Sequence, residues 1–487
     1  MKARGATWPS PSVSTSAASM PSIEVPDIRP MARRIVMPPT LAQAAASAYT
    51  PAMRAIITAA LLLAAPAAAA PALPPITLAP SQGTALADLV AGRDGRAPQL
   101  SGVIGVVASR DRILRAEAHG VAEFGSEIAA ARPLTTDSVV RVASISKLVV
   151  AIAVWRLVEQ GRLDLDRDVS LYLGWPLRHA NFPDRPVTLR QLLSHTSGIV
   201  DGPGYGFALE EQLRNRLTPQ HWGPAAPGGR FEYANLNYGI IATVMEAATG
   251  ERFDRLMTRL VLAPLSIDAG YNWQGASDAA VARAAVLYRK GADEAHWDPA
   301  GPWVPQVDDL HGQRSPCPVR STAGCDLAAY VPGSNGTIFS PQGGLRISLT
   351  DLARIGQLLL RGGEVAIGNR SIRLLKPATV KAMFTAVWQA GKGVPGDDYH
   401  GQMLCYGAGP HCLSGRAGAT DQPVKGARWW GHLGEAYGLL AGLWVDQRRG
   451  RVIAYALTGS AADPFAAPRL RSQFSSAEDI IMAELAQ

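Results

Sequence analysis

The chain is poor in cysteine, with four in 487 residues, and that count excludes a disulfide scaffold as the source of its stability. Apolar runs are short: none reaches the ~20 residues a membrane-spanning helix needs. Charge is sparse at 18% of residues, and although Lys and Arg exceed Asp and Glu to give a net +7, no five basic residues stand together. A mildly basic surface follows, with no basis for nucleic-acid binding. Neither H-E-x-x-H nor C-x-x-C occurs, so the sequence offers no zinc site and implies no metal or other cofactor. G-x-S-x-G is absent too, which removes the nucleophile elbow of the α/β-hydrolases. Hydrophobic residues make up 47% of the chain, ample for a large buried core.

The N-terminus divides in two. Residues 1–52 are rich in Ala, Pro, Ser and Met without sustained periodicity, and are expected to be a disordered extension. Met53-Arg54, a short apolar stretch and the Ala-rich 66–72 then have the n-region, h-region and small-residue cleavage site of a secretory signal peptide at 53–72. A signal placed so deep implies that translation starts at Met53. The alternative reading of 53–72 is an Ala-rich linker or short core helix. The cysteines fall as two close pairs, which in an exported chain suggests disulfides Cys317–Cys325 and Cys405–Cys412; in a reducing compartment they would be four thiols. The expected location is periplasmic or secreted, with no integral membrane segment once the signal is removed.

From residue 83 to 487 the pattern is that of one domain. Residues 101–108 and 113–120 read as a buried strand and its hairpin partner around Arg110-Asp111-Arg112. Residues 148–155 are apolar on nearly every face, predicting a buried helix closed at Gly161. A short capped helix is expected at 188–194, a second apolar helix at 238–249 ending at Gly250, and another at 350–360. Strand signals return at 342–348, 429–433, 438–445 and 451–457, and a helix at 477–485 closes the chain. Strands at both ends with helices between predict an α/β (α+β) fold: an antiparallel sheet built from both chain ends and flanked by helices, plus a mostly helical lobe. The stretch 271–335, with Trp273, Trp297, Trp303, several prolines and the first cysteine pair, reads as a loop-rich insertion whose tryptophans are packing residues.

The chemistry-bearing stretch is Ser144-Ile145-Ser146-Lys147, just ahead of the apolar helix. A residue at a helix N-terminus meets unpaired N–H groups and the positive end of the dipole, which favour developing negative charge. Three residues on, Lys147 shares its face. A serine beside a partly desolvated lysine is a nucleophile with its base. The bland reading is a capping serine and a chance lysine. Likewise Tyr233 and Asn235 could be a helix-entry aromatic and an N-cap, and His432 a structural strand histidine.

Taken together, Ser144-x-x-Lys147, Tyr233-x-Asn235 and His432-Leu433-Gly434 stand in the order of the S-x-x-K, Y-x-N and K-T-G or H-x-G motifs. With the run from Leu192 to Ile199 (LLSHTSGI), Gly343-Gly344-Leu345 and Asp351-Leu352-Ala353, the chain resembles the serine β-lactamase and penicillin-binding-protein superfamily, in its class C-type branch, over roughly residues 83–485. The resemblance implies a β-lactamase/transpeptidase-like fold and an acyl-enzyme on Ser144, with Lys147 and Tyr233 sharing the general-base role and Tyr233 also protonating the leaving group. Asn235, His432, Gly434 and Glu435 would bind substrate, and the N–H groups of Ser144 and Glu435 would form the oxyanion hole. The tyrosine could serve as base only if Lys147 and a charged His432 favoured its phenolate. His195 belongs to a stretch that is structural in the family. His432 in place of lysine removes a fixed cation, and Glu435 adds negative charge, so anionic substrates are expected to be disfavoured. The reading is an exported serine hydrolase for small esters, amides or D-amino-acid peptides. The alternatives are a D-alanyl-D-alanine carboxypeptidase, a class C-type β-lactamase, or a non-catalytic ligand-binding protein.

Overall fold

The computed structural model describes residues 84–125, 130–291, 298, 300–460 and 469–487. The extension 1–52, the leader 53–72 and Trp297 lie outside the described residues.

The sheet is antiparallel and nine-stranded. Its strands are β1 (Gly102–Ala108), β2 (Ile113–Glu123), β3 (Arg132–Pro133), β4 (Trp388–Gln389), β5 (Cys405–Tyr406), β6 (His411–Cys412), β7 (Trp430–Ala436), β8 (Leu439–Asp446) and β9 (Arg451–Thr458). Their spatial order is β4-β5-β6-β7-β8-β9-β1-β2-β3. The chain ends meet where β9 pairs with β1, Gly102 opposite Thr458 and Ala108 opposite Val452. The expected sheet built from both termini is therefore present.

Both faces of this sheet are covered, which is why β1 and β8 read as unbroken apolar runs rather than alternating ones. In β1, Ile104 and Val106 enter the larger core and Val103 and Val107 the smaller, as the period of two requires. The smaller core is closed by α1 (Ala85–Val90) and α5 (Ser476–Leu485). Helix α1 carries no long periodic run and was not expected. Thr84 caps it, and Leu86 and Leu89 bury its inner face. On the other side lie α2 (Ile145–Glu159), α3 (Leu236–Thr249) and α4 (Leu349–Leu360).

Helix α2 is buried from Ile145 through Trp155. An element apolar all round can only be a central one, and here it runs between the sheet and the helical lobe. The short helix at Leu189–Leu193 starts on the Thr188 capping box. Within 271–335 the chain forms a hairpin, Leu287–Lys290 against Trp303–Val307. Of its described tryptophans, Trp273 is buried and donates to Asp308 at 2.8 Å, whereas Trp303 packs on Phe124. The cysteines stand in the two expected pairs, Cys317–Cys325 and Cys405–Cys412. No helix among the described residues is long and apolar enough to cross a membrane.

Candidate active site

Ser144 is delivered by a short strand, Val139–Arg141, paired with Arg346–Ser348. Ala143 then turns the chain with φ +45°, an uncommon conformation for a residue with a side chain. Ser144 follows at the N-terminus of α2, and its side chain makes no capping bond. The bland reading of a capping serine does not hold. The hydroxyl is left for Lys147, whose Nζ lies 2.9 Å from Ser144 Oγ.

Lys147 is wholly buried. Its other two acceptors are Asn235 Oδ1 and the Gln342 carbonyl, each at 2.9 Å. Burial drives its pKa from 10.5 down to about 7, against the opposing pull of Asp201. This geometry has a chemical consequence. A neutral amine has two N–H groups and one lone pair. With the N–H groups held by Asn235 and Gln342, the lone pair faces the Ser144 hydroxyl and can take its proton.

Asn235 is positioned by Asp201. Its Nδ2 donates to Asp201 Oδ2, and the Leu236 N–H donates to Asp201 Oδ1, both at 2.9 Å. Asp201 thus caps α3, not Asn235, whose own side chain makes no capping bond. The sequence reading missed Asp201, although it follows two residues after Ile199 at the end of the LLSHTSGI run. Asn235 lines the cleft. Its carbonyl is committed to Lys147 and one N–H to Asp201, leaving one N–H for a substrate carbonyl.

Tyr233 stands beside Ser144, and burial raises its pKa well above 10. The expectation that cations would favour its phenolate is corrected here: desolvation outweighs Lys147, whose Nζ is 4.9 Å from the ring centroid, and His432 supplies no charge. Tyr233 is a neutral phenol, a proton donor in the resting site. His195 accounts for its placement. The imidazole stacks on the Tyr233 ring at 4.3 Å and accepts the Ala234 N–H at its Nδ1. Asn237, which also donates to that Nδ1, accepts from Ser197. The LLSHTSGI stretch is therefore a clamp on the Tyr233 segment.

His432 does not face the cleft, which corrects its expected role as a substrate-binding residue. It is fully buried. Its Nδ1 donates to the Leu433 carbonyl at 2.6 Å, and its Nε2 accepts from the Tyr406 hydroxyl at 2.7 Å. Burial and Lys147 hold its pKa well below 6.5. Gly434, expected to bind substrate, acts through close packing. A Cβ there would stand 2.5 Å from the Val142 carbonyl, so only glycine lets β7 lie against the approach to Ser144. Among the described residues the β6–β7 register covers Trp430 and Gly431, and farther along β7 Glu435 and Ala436 line the cleft.

The cleft has a volume of about 990 Å³. Ser144, Tyr233 and Asn235 line it, as do Arg141, Arg289, Arg320 and Arg346, with Glu435 the single acidic residue among its described lining. The four arginines come from four separate segments, and one of them, Arg346, is ion-paired with Asp308. Among the described residues, Glu123, Asp309 and His311 form one group whose ligand atoms lie within 4.8 Å of one another. None of the three lines the cleft.

Residues 86–478 match the family model described as Beta-lactamase. Esterase EstB of Burkholderia gladioli is 33% identical over 220 residues, 41% of this chain and 53% of that protein. The D-alanyl-D-alanine-carboxypeptidase/endopeptidase AmpH of Escherichia coli (strain K12) is 28% identical over 170 residues, 33% of this chain and 42% of that protein. The chain thus spans about half the length of the curated relatives it matches. Among solved structures, EstCE1, titled a hydrolase with promiscuous acyltransferase activity, superposes with a TM-score of 0.56 at 23% identity, covering 81% of this chain and 96% of its own. That likeness is one of fold.

Proposed function

Since the chain belongs to the Beta-lactamase family, we propose that it is a serine hydrolase that cleaves small esters, amides or D-amino-acid peptides through an acyl-enzyme on Ser144. The observation that carries this reading is the lysine whose three nitrogen contacts are Ser144 Oγ, Asn235 Oδ1 and the Gln342 carbonyl.

In the reaction, neutral Lys147 takes the Ser144 proton as Oγ attacks the substrate carbonyl. The tetrahedral oxyanion forms at the α2 N-terminus, beside the Glu435 end of β7. The N–H groups of Ser144 and Glu435 receive it; losing one such donor costs about 3 kcal/mol. Tyr233, a neutral phenol beside Ser144, passes a proton to the leaving alcohol or amine. Water then enters by the reverse route. General-base assistance supplies roughly 10²–10⁴-fold and the oxyanion site a comparable factor, so the rate depends on the set. Export through the leader expected at 53–72 completes the reading, and the two disulfides are consistent with an oxidising compartment.

The test is hydrolysis of p-nitrophenyl butyrate and of a D-Ala-D-Ala peptide by residues 73–487, wild type beside Ser144→Ala. Turnover lost with Ser144 supports the proposal; turnover retained in the variant sinks it. If both proteins are inactive on both substrates, the ligand-binding alternative takes its place.

A further inference from the structure

Two of the guanidiniums that line the cleft, Arg346 and Arg141, differ in their partners. Arg346 is neutralised: its Nε and Nη2 donate to Asp308 at 2.9–3.2 Å. Arg141, three residues before the nucleophile, is different. Its Nε donates to the Gly343 carbonyl at 2.9 Å, and its guanidinium carbon lies 5.0 Å from the centroid of the Tyr437 ring. Among the described residues, no carboxylate lies within ion-pair distance of it. The group is partly buried and lines the same cavity as Ser144. Burial and the neighbouring Arg346 both disfavour its charge, yet an arginine stays protonated. A guanidinium fixed at Nε, stacked on a ring and still carrying free N–H groups is preorganised for a planar, bidentate anion.

The anchors are themselves parts of the site. Gly343 follows Gln342, whose carbonyl holds Lys147. Tyr437 follows Ala436 at the end of β7, the strand that presents Glu435. The cation is therefore tied to both walls beside the nucleophile.

We propose that Arg141 is the subsite for a substrate carboxylate, so that the enzyme prefers esters and amides bearing a free carboxylate near the scissile bond. This deepens the serine-hydrolase reading and rests on it for the chemistry. It does not require His432 to be charged.

Three esters test the preference: p-nitrophenyl butyrate, mono(4-nitrophenyl) succinate and the methyl ester of that succinate. The expected kcat/KM of wild type favours the free carboxylate over its methyl ester by about tenfold or more, the scale of one hydrogen-bonded charge pair. Arg141→Gln should bring that ratio close to one, and Arg141→Lys should restore part of it. A wild-type ratio at or below one overturns the proposal without any variant. So does a preference that Arg141→Gln leaves unchanged. Equilibrium dialysis of the succinate and its methyl ester against Ser144→Ala reads the same preference without turnover. A binding preference with no wild-type hydrolysis would keep the subsite and refute the serine-hydrolase reading; hydrolysis with no preference would do the opposite.

Discussion

Replacing Lys147 by methionine removes a buried ammonium, and the consequence is a change in how stability depends on pH. In the folded state the Lys147 pKa is about 7, against 10.5 for an ordinary lysine. Below pH 7 the group is charged in both states, and the cost of its burial is fully present. Between pH 7 and 10.5 the unfolded chain holds a proton that the folded chain has lost, so stability rises with pH. For these two values the gain between pH 7 and 9 is about 2 kcal/mol. Methionine lacks the titration, although it leaves Asn235 Oδ1 and the Gln342 carbonyl without their donor. The absolute difference between the proteins therefore mixes two effects, whereas its pH dependence isolates one. Urea unfolding of wild type and Lys147→Met at pH 7, 8 and 9, with disulfides intact, measures it. The expected result is that wild type gains about 2 kcal/mol on the variant across that range. Curves that stay parallel would refute the assignment of a depressed lysine pKa.

The same pKa predicts that kcat/KM for a neutral ester falls about tenfold per pH unit below about 7, because Lys147 must be neutral to accept the serine proton; a flat profile from pH 5 to 8 would contradict this. Asp201→Asn removes the charge that raises the Lys147 pKa and sets two amide donors against each other at Asn235. The acid limb should move to lower pH, and stability should fall by about 1–3 kcal/mol, read from the pH profile and urea titration. Gly434→Ala forces a Cβ onto the Val142 carbonyl. It should cost about 1–3 kcal/mol and lower kcat by displacing β7 from Ser144; unchanged Tm and kcat would contradict the close-packing role. Buried Glu246, with a pKa raised to about 7, gives the reverse sign to Lys147. Relative to Glu246→Gln, wild type should lose about 2 kcal/mol of stability from pH 5 to 7, and a constant difference would refute it.

Much of the fold was legible because apolar runs are long and local. Helix α2 could only be central, and the strands at the two chain ends had no other partners of similar length. Ser144 and Lys147 were legible for the same reason, since three residues on a helix fix a distance. What the sequence concealed depends on direction and burial. His432 lies in motif register, yet its ring turns to Tyr406, and no pattern of residues specifies which face of a strand looks into a cleft. Tyr233 has a cation beside it, but the sign of its pKa shift is set by desolvation, which only tertiary packing determines. Asp201 and Arg141 are single residues whose partners, Asn235 and Gly343, stand far along the chain. The arginines that line the cleft stand at residues 141, 289, 320 and 346, too far apart in the chain for any charge run to show them.

The central claim is a covalent bond to Ser144. The direct measurement is the intact mass of the enzyme quenched in acid during turnover of p-nitrophenyl butyrate, followed by peptide mapping. The account predicts a mass increase of one butyryl group, located on the peptide containing Ser144 and absent in Ser144→Ala. Steady hydrolysis with no adduct in wild type, or an adduct that persists on another residue of the variant, would contradict it.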